Sequence, residues 1–218
     1  MKFTGKKRPS ILITAGPTRE RIDPVRFISN YSTGTFGYEL SAEAQRRGLK
    51  VTLISGPTSL KVPQKVNVIR VESALDMRKA VFSELKKADY VIMAAAVSDW
   101  RLKKVPVHKI KRSSGKACLE LVENPDILSE IGARKGGRIV AGFALETEDL
   151  ENNAIKKLLA KNVDIIVANA LKGPAPLFGN NNIDIVIIDR LGNKTSVKNK
   201  PKSEMAKIIL DKLFAFNI

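Results

Sequence analysis

The stretch Ser10-Ile-Leu-Ile-Thr14-Ala-Gly16-Pro-Thr-Arg-Glu20-Arg-Ile-Asp-Pro-Val-Arg26-Phe-Ile-Ser-Asn30-Tyr-Ser32-Thr-Gly34-Thr-Phe-Gly37 decides the fold. Ser10–Thr14 is a short apolar run of β type, and Phe36–Arg47 carries a helical pattern stopped by Gly48, the left-handed residue favoured past a helix end. A loop to about Thr35 joins them. It is far longer than the few residues usual between strand and helix, which marks a functional excursion. Where the chain re-enters the helix, Ser32–Gly37 can aim backbone N–H groups at an anion, and Gly34 and Gly37 permit close backbone approach. The spacing is neither the dinucleotide fingerprint G-x-G-x-x-G nor a Walker A loop. Read from its residues alone, the stretch points to phosphate or nucleotide binding, with a capped structural turn as the alternative.

Outward from this unit the alternation continues. Val51–Ser55 and Val66–Val71 read as strands, and Ala74–Lys87 as a helix with Ser73 at its N-cap. Tyr90–Val97 is almost wholly apolar, as a strand covered on both faces should be. Arg101–Lys116 breaks the pattern. It holds seven Lys/Arg and the single histidine, His108, and reads as a loop or mobile flap. Pro125–Arg134 is expected to be helical, Arg138–Phe143 a strand, Asp149–Lys161 a helix and Asp164–Asn169 a buried strand. Ile183–Asp189 and Lys194–Lys198 read as antiparallel strands around Leu191-Gly192-Asn193, and Ser203–Phe214 as a closing helix. The expectation is an α/β, Rossmann-like three-layer fold. Its central sheet should be mostly parallel with a small antiparallel extension, and ligands should sit beyond the carboxyl ends of the strands.

Composition bounds the rest. The chain has 218 residues, 44% hydrophobic and 28% charged, enough for one domain over residues 10–218 behind a basic segment at 1–9. No apolar run is long enough to span a bilayer, and Met1–Ser10 lacks the apolar core and cleavage site of a secretory signal. A lone Cys118 cannot form an internal disulfide, which fits a reducing compartment. A cytoplasmic protein with no membrane partner is expected. The 38 Lys+Arg against 22 Asp+Glu give a net charge of +16. That field draws phosphorylated small molecules and nucleic acid alike, and equally suits a solubilising surface, so charge alone decides nothing.

Several separate motifs sharpen the reading. The opening string TAGPTRE-x-x-DPVRFISNYSTG-x-x-G is followed in order by Ala94-Ala-Ala-Val-Ser-Asp-Trp100, Lys109-Ile-Lys-Arg112, Asn124-Pro-Asp-Ile127, Gly142-Phe-Ala-Leu-Glu-Thr147, Lys161-Asn-Val-Asp164 and Phe178-Gly-Asn-Asn-Asn182. Together they resemble the bacterial phosphopantothenoylcysteine synthetase family over about residues 11–213. Bifunctional members of that family carry a flavin-dependent decarboxylase domain ahead of this region. Nothing in this sequence supplies that domain, so the chain is expected to be a free-standing synthetase or an excised half.

The resemblance implies a ligase that joins 4′-phosphopantothenate to L-cysteine, usually with CTP, through an acyl-nucleotidyl intermediate and release of pyrophosphate. It implies Asn30 at the acyl centre, with Arg26 in the same loop, and Lys109 as the catalytic lysine of the flap. For the nucleotide it implies Gly16, Ser32, Gly34, Gly37, Ala94, Ala95, Asp99, Lys109, Pro125, Asp126, Ile127, Leu128, Phe143, Lys157 and Lys161. Taken alone, Asn30 is a turn residue, Lys109 a solvated surface charge and Asp99 a cap. Lys157 and Lys161, one helical turn apart, are expected to flank a buried stripe of Ala154, Ile155, Leu158 and Leu159. No cluster has metal-ligand spacing, so Mg2+ should arrive with the triphosphate. Family members form dimers, and the extension near Phe178–Lys198 is the expected homodimer interface.

Trp100 and Asn180 depart from the family's usual residues without removing a reacting group, and His108 and Cys118 read as incidental. A Rossmann-type NAD(P)-dependent oxidoreductase would need the missing fingerprint and an acid at the end of the second strand, where Ser55-Gly56 stand instead. A nucleic-acid-binding module would interleave aromatics with its charges, and Arg101–Lys116 has none. No nucleic-acid partner is expected.

Overall fold

The computed structural model describes residues 2, 8–112, 118–146, 148–170 and 182–216. Thr147, nearly all of the Phe178–Asn182 motif, residues 113–117 of the basic stretch and most of the N-terminal segment lie outside the described residues. In chain order the strands and helices are β1 (Ser10–Ala15), β2 (Arg19–Arg21), β3 (Phe27–Ser29), α1 (Thr35–Arg46), β4 (Lys50–Ser55), β5 (Asn67–Arg70), α2 (Ala74–Glu84), β6 (Tyr90–Met93), β7 (Trp100–Leu102), β8 (Leu121–Glu123), α3 (Ile127–Ala133), β9 (Ile139–Glu146), α4 (Leu150–Ala160), β10 (Ile165–Ala170), β11 (Asn182–Asp189), β12 (Lys194–Pro201) and α5 (Lys202–Ala215).

The main sheet runs β12-β11-β10-β9-β6-β1-β4-β5. Every pair from β5 across to β10 is parallel, and β11 and β12 add on antiparallel. Alternate residues of a strand face opposite ways. Accordingly Ile11 and Ile13 of β1 pack with α1 and α5, whereas Leu12 between them packs with α2, α3 and α4. This is the expected three-layer α/β fold with a mostly parallel sheet and an antiparallel extension. Ser73 caps α2 as expected, in a reciprocal capping box with Asp76. Between α1 and α5, the buried Arg47 pairs with Glu43 at 2.7 Å and with Asp211 at 2.6 Å, and donates to the Lys207 carbonyl.

Five local expectations need correction. The long loop after β1 contains an antiparallel hairpin, β2 with β3. The strand from Tyr90 stops at Met93, because beyond it Ala95 N–H donates to Thr14 Oγ1 and Ala96 N–H to the Gly16 carbonyl. Those donors leave the ladder to bind the end of β1 and the loop that follows it. The basic flap stands on a hairpin, since β7 pairs antiparallel with β8. The helix expected from Pro125 begins at Ile127, after Asp126 accepts from Ser129 N–H as N-cap. Finally, α4 buries Ala154 and Leu158 with Ile155 half-buried, while Leu159 is 68% exposed. The stripe that meets the sheet is narrower than four apolar residues.

Candidate active site

Gly16, Asn30, Ser32, Gly34, Gly37, Ala94 and Ala95 gather where β1 and β6 end, at the carboxyl edge of the parallel strands. Gly16 turns the chain out of β1 with φ 75°, and Gly34 precedes α1 with φ 79°, a conformation a side chain resists. A Cβ on Gly37 would stand 2.4 Å from the Ala15 Cβ and 2.9 Å from the Thr14 carbonyl oxygen, so α1 lies flush on β1 only because position 37 is glycine. No side chain caps the start of α1, and its first turn holds no acidic residue. The partial positive charge of the helix entrance is therefore left for an outside anion. Ser32 Oγ stands beside it, accepting from Gly34 N–H at 3.3 Å.

The loop from β1 and the loop from β6 are laced together. Thr18 N–H donates to the Ala96 carbonyl at 3.2 Å, Ser98 N–H donates to Thr18 Oγ1 at 2.9 Å, and Ser29 Oγ donates to the Thr18 carbonyl at 2.8 Å. Asn30 completes the seam. Its amide nitrogen donates to the carbonyls of Ala96 at 3.2 Å and Val97 at 3.1 Å. Two carbonyls facing one amide group fix which end is nitrogen. Asn30 is exposed, and Ala94 and Ala95 lie half-buried beside the same seam.

The segment after β6 reaches the next group. Asn124 N–H donates to the Asp99 carbonyl at 2.7 Å and Asn124 Nδ2 donates to the Ser98 carbonyl at 2.9 Å, which brings Pro125–Leu128 to the same edge. The Asp99 carboxylate is exposed. Asp126 pairs with Lys161 across α3 and α4. Burial works to raise the Asp126 carboxyl, but the Lys161 ammonium and the Ser129 N–H outweigh it and hold it below the usual range. Two of the expected nucleotide contacts thus meet each other. Lys157, half-buried, sits one turn earlier on α4 and so nearer the carboxyl edge of the sheet. Phe143 lies within β9 and meets Phe36 of α1 edge-on with ring centroids 4.9 Å apart.

Lys109 is exposed on the basic stretch, next to Ile110. Arg26, about half exposed, pairs within its own turn and with the basic stretch: its Nε donates to Asp23 Oδ2 at 3.0 Å, and its Nη2 to that oxygen and to the Ile110 carbonyl. The side chain of Asp23 is fully buried. Its pairing with Arg26 holds the carboxyl well below the usual carboxylate range, against the opposing effect of burial. Asp23, Thr14 and Thr18 are structural members of the site not singled out from the sequence. The Asp23-Pro24 dipeptide, a turn signal, was the clue available for Asp23. Three concavities of about 490, 500 and 430 Å³ lie elsewhere, and none of the three is lined by a candidate residue.

Residues 6–216 match the family model described as the DNA/pantothenate metabolism flavoprotein C-terminal domain. The coenzyme A biosynthesis bifunctional protein CoaBC of Bacillus subtilis (strain 168) is 45% identical over 208 residues, covering 95% of this chain and 51% of the relative. A protein from an unknown prokaryotic organism, named cysteine/cysteine sulfinic acid decarboxylase, is 43% identical over 205 residues, 93% of this chain and 57% of that protein. The crystal structure of the C-terminal domain of a coenzyme A biosynthesis bifunctional protein CoaBC matches with a TM-score of 0.80 at 39% identity, covering 94% of this chain and 93% of that one. The chain spans about half the length of these two full-length relatives. Among the described residues, no helix is long and apolar enough to cross a membrane.

Proposed function

The chain belongs to the DNA/pantothenate metabolism flavoprotein C-terminal domain family, and from that premise we propose that it is a cytoplasmic phosphopantothenate–cysteine ligase of coenzyme A synthesis. The observation that carries this reading is the seam of Asn30 with Ala96 and Val97 beside the uncapped, glycine-bearing entrance to α1. In the proposed reaction the carboxylate of 4′-phosphopantothenate attacks the α-phosphorus of CTP. An acyl-cytidylate forms and pyrophosphate leaves. The amine of L-cysteine then attacks the acyl carbon, losing a proton, and cytidine monophosphate leaves.

Both steps build negative charge in a bounded space, so fixed donors and cations should lower the barrier most. In our reading the entrance to α1, with Gly16, Ser32, Gly34 and Gly37, takes a phosphate. Ala94, Ala95, Asp99, Phe143 and Pro125–Leu128 take the nucleoside, and Lys109, Lys157 and Lys161 take the triphosphate charge. Lys161 must trade Asp126 for phosphate as the nucleotide arrives. Asn30 stands at the acyl centre. Because its amide donors are spent on two carbonyls, donation to the acyl oxygen means exchanging one of those bonds for the substrate. Among the described residues no group of three or more His, Cys, Asp or Glu could hold a metal ion. We assign magnesium to the triphosphate, as part of the substrate.

Pyrophosphate release tests the reading. With phosphopantothenate and CTP alone, a single burst is expected, and added cysteine should make release continuous. Asn30→Ala should keep the fold and lose about 10²–10³ in turnover, the scale for removing one oxyanion donor. Absence of release with either CTP or ATP would sink the ligase assignment, and CO2 release from cysteine would favour the activity named for the decarboxylase relative. Full turnover in Asn30→Ala would remove that residue from the acyl centre.

A homodimer is part of the proposal, and beside the extension near Phe178–Lys198 a second candidate interface stands out. Val25, Phe27, Tyr31, Trp100, Val107 and Leu121 are exposed on the β2–β3 and β7–β8 arms, whereas Leu191 is the exposed large apolar side chain among the described residues of the extension. We expect Phe27→Asp to shift sedimentation toward the monomer, and an unchanged dimer would clear the arms of that role.

A further inference from the structure

The Asp23–Arg26 pair does more than close its own turn. Asp23 Oδ1 accepts from the N–H groups of Val25 at 2.8 Å and Arg26 at 2.9 Å, while the Arg26 carbonyl accepts from Ile22 N–H and Asp23 N–H. The turn is therefore held from both sides before the flap is considered. The pair also binds one residue far along the chain. Ile110 N–H donates to Asp23 Oδ2 at 3.1 Å, and the Ile110 carbonyl accepts from Arg26 Nη2 at 3.1 Å. One ion pair thus takes both main-chain polar groups of Ile110, much as a neighbouring strand would.

Bonds to the peptide units on both sides of the Ile110 Cα fix the orientation of this residue as well as its position. Lys109 is the residue before Ile110, its Cα about 3.8 Å away across a trans peptide. Any shift of Ile110 is carried straight to the root of the Lys109 side chain. Asp23 cannot be reached by solvent, since its side chain is fully buried, and a carboxylate held charged by a guanidinium has no proton to exchange near neutral pH. Its chemistry suits a fixed anchor and not an acid or base.

We propose that Asp23 is a positioning residue that acts through Ile110 to present Lys109 to the nucleotide triphosphate at the carboxyl edge of the sheet. This rests on the reading of Lys109 above. Asp23→Asn keeps an acceptor for the turn but removes the charge and turns an N–H toward a guanidinium or toward the Ile110 N–H. The loss expected in the pyrophosphate-releasing half-reaction is about 10- to 100-fold, the scale for misplacing a catalytic group by about an ångström.

The test is a double-mutant cycle with Lys109→Ala, read on pyrophosphate release with the nucleotide concentration varied. If Asp23 acts through Lys109, Asp23→Asn slows the wild-type enzyme and costs nothing further in the Lys109→Ala background. Losses that multiply overturn the proposal, as does a wild-type rate in Asp23→Asn. A wild-type rate in Lys109→Ala overturns the reading of Lys109 itself, which is a distinguishable result. Should circular dichroism find Asp23→Asn unfolded, Ile110→Pro carries the same cycle by deleting the N–H that Asp23 accepts, with Ile110→Ala as the control that keeps it. Ile110→Pro slowing the enzyme only when Lys109 is present supports the proposal, and equal slowing in both backgrounds overturns it.

Discussion

Asp23 and Asp164 are both buried carboxylates that gather cations and backbone N–H groups, yet they sit in different kinds of structure. Asp164 lies just before β10. It accepts from Val140 N–H at 2.8 Å, from Lys135 Nζ at 2.8 Å and from Arg190 Nη1 at 2.8 Å, so it joins the approach to β9, the start of β10 and the end of β11. Asp23 holds Arg26 and Ile110, two irregular segments above the carboxyl edge. Removing the first charge disturbs three sheet elements at their amino-terminal or return ends. Removing the second disturbs where one loop lies on another. The comparison teaches that a buried ion pair takes its meaning from what it connects: scaffold at one end of the sheet, the loops of the candidate site at the other.

The largest effect should come from Asp164→Ala. It leaves Lys135, 13% exposed, without a counter-charge and Val140 N–H without an acceptor, at a cost of about 3 kcal/mol in unfolding free energy. Denaturant melts would show this, and a cost near zero would break the comparison on the scaffold side. Asp23→Asn should lower the melting temperature by less than Asp164→Ala while cutting activity more than stability explains.

The smallest effect concerns acid. Burial works to raise the Glu43 carboxyl, but Arg46 and Arg47 outweigh it and the net shift is downward. A group depressed in the folded state stabilises above its unfolded pKa, about 4.3, and loses that contribution as pH falls through its folded value. Glu43→Gln should therefore show a shallower loss of stability than the wild type below about pH 4, with little difference in slope above pH 6. Parallel curves below pH 4 would mean that the α1–α5 clamp contributes no linkage.

Much of this molecule could be read along the chain. Apolar runs of strand length with helical stretches between them located β1, β4, β6, β9 and β10, and the Ser73 capping signal located the start of α2. The misreadings share one cause. Tyr90–Val97 is uniformly apolar, and nothing within it tells that Ala95 and Ala96 donate to residues near β1. The β2–β3 and β7–β8 ribbons are three residues per strand, too short for a period of two to declare itself. Leu159 fits an apolar stripe by spacing, and only the sheet beneath α4 decides that the stripe is narrower. At the site, the motifs named most residues, but not that Lys161 is held by Asp126 or that both donors of Asn30 are engaged.

By itself, the sequence determined the layered α/β architecture, the glycines that let α1 approach β1, and the family to which the ordered motifs point. These follow from periodicity, glycine stereochemistry and local spacing, which act within a few residues. Tertiary structure alone decided which groups meet: Asn30 with Ala96 and Val97, Asp126 with Lys161, and the Asp23–Arg26 pair with Ile110. Those contacts join residues that are remote in the chain. Their geometry depends on how parallel strands line up their carboxyl ends, which no local pattern of residues encodes.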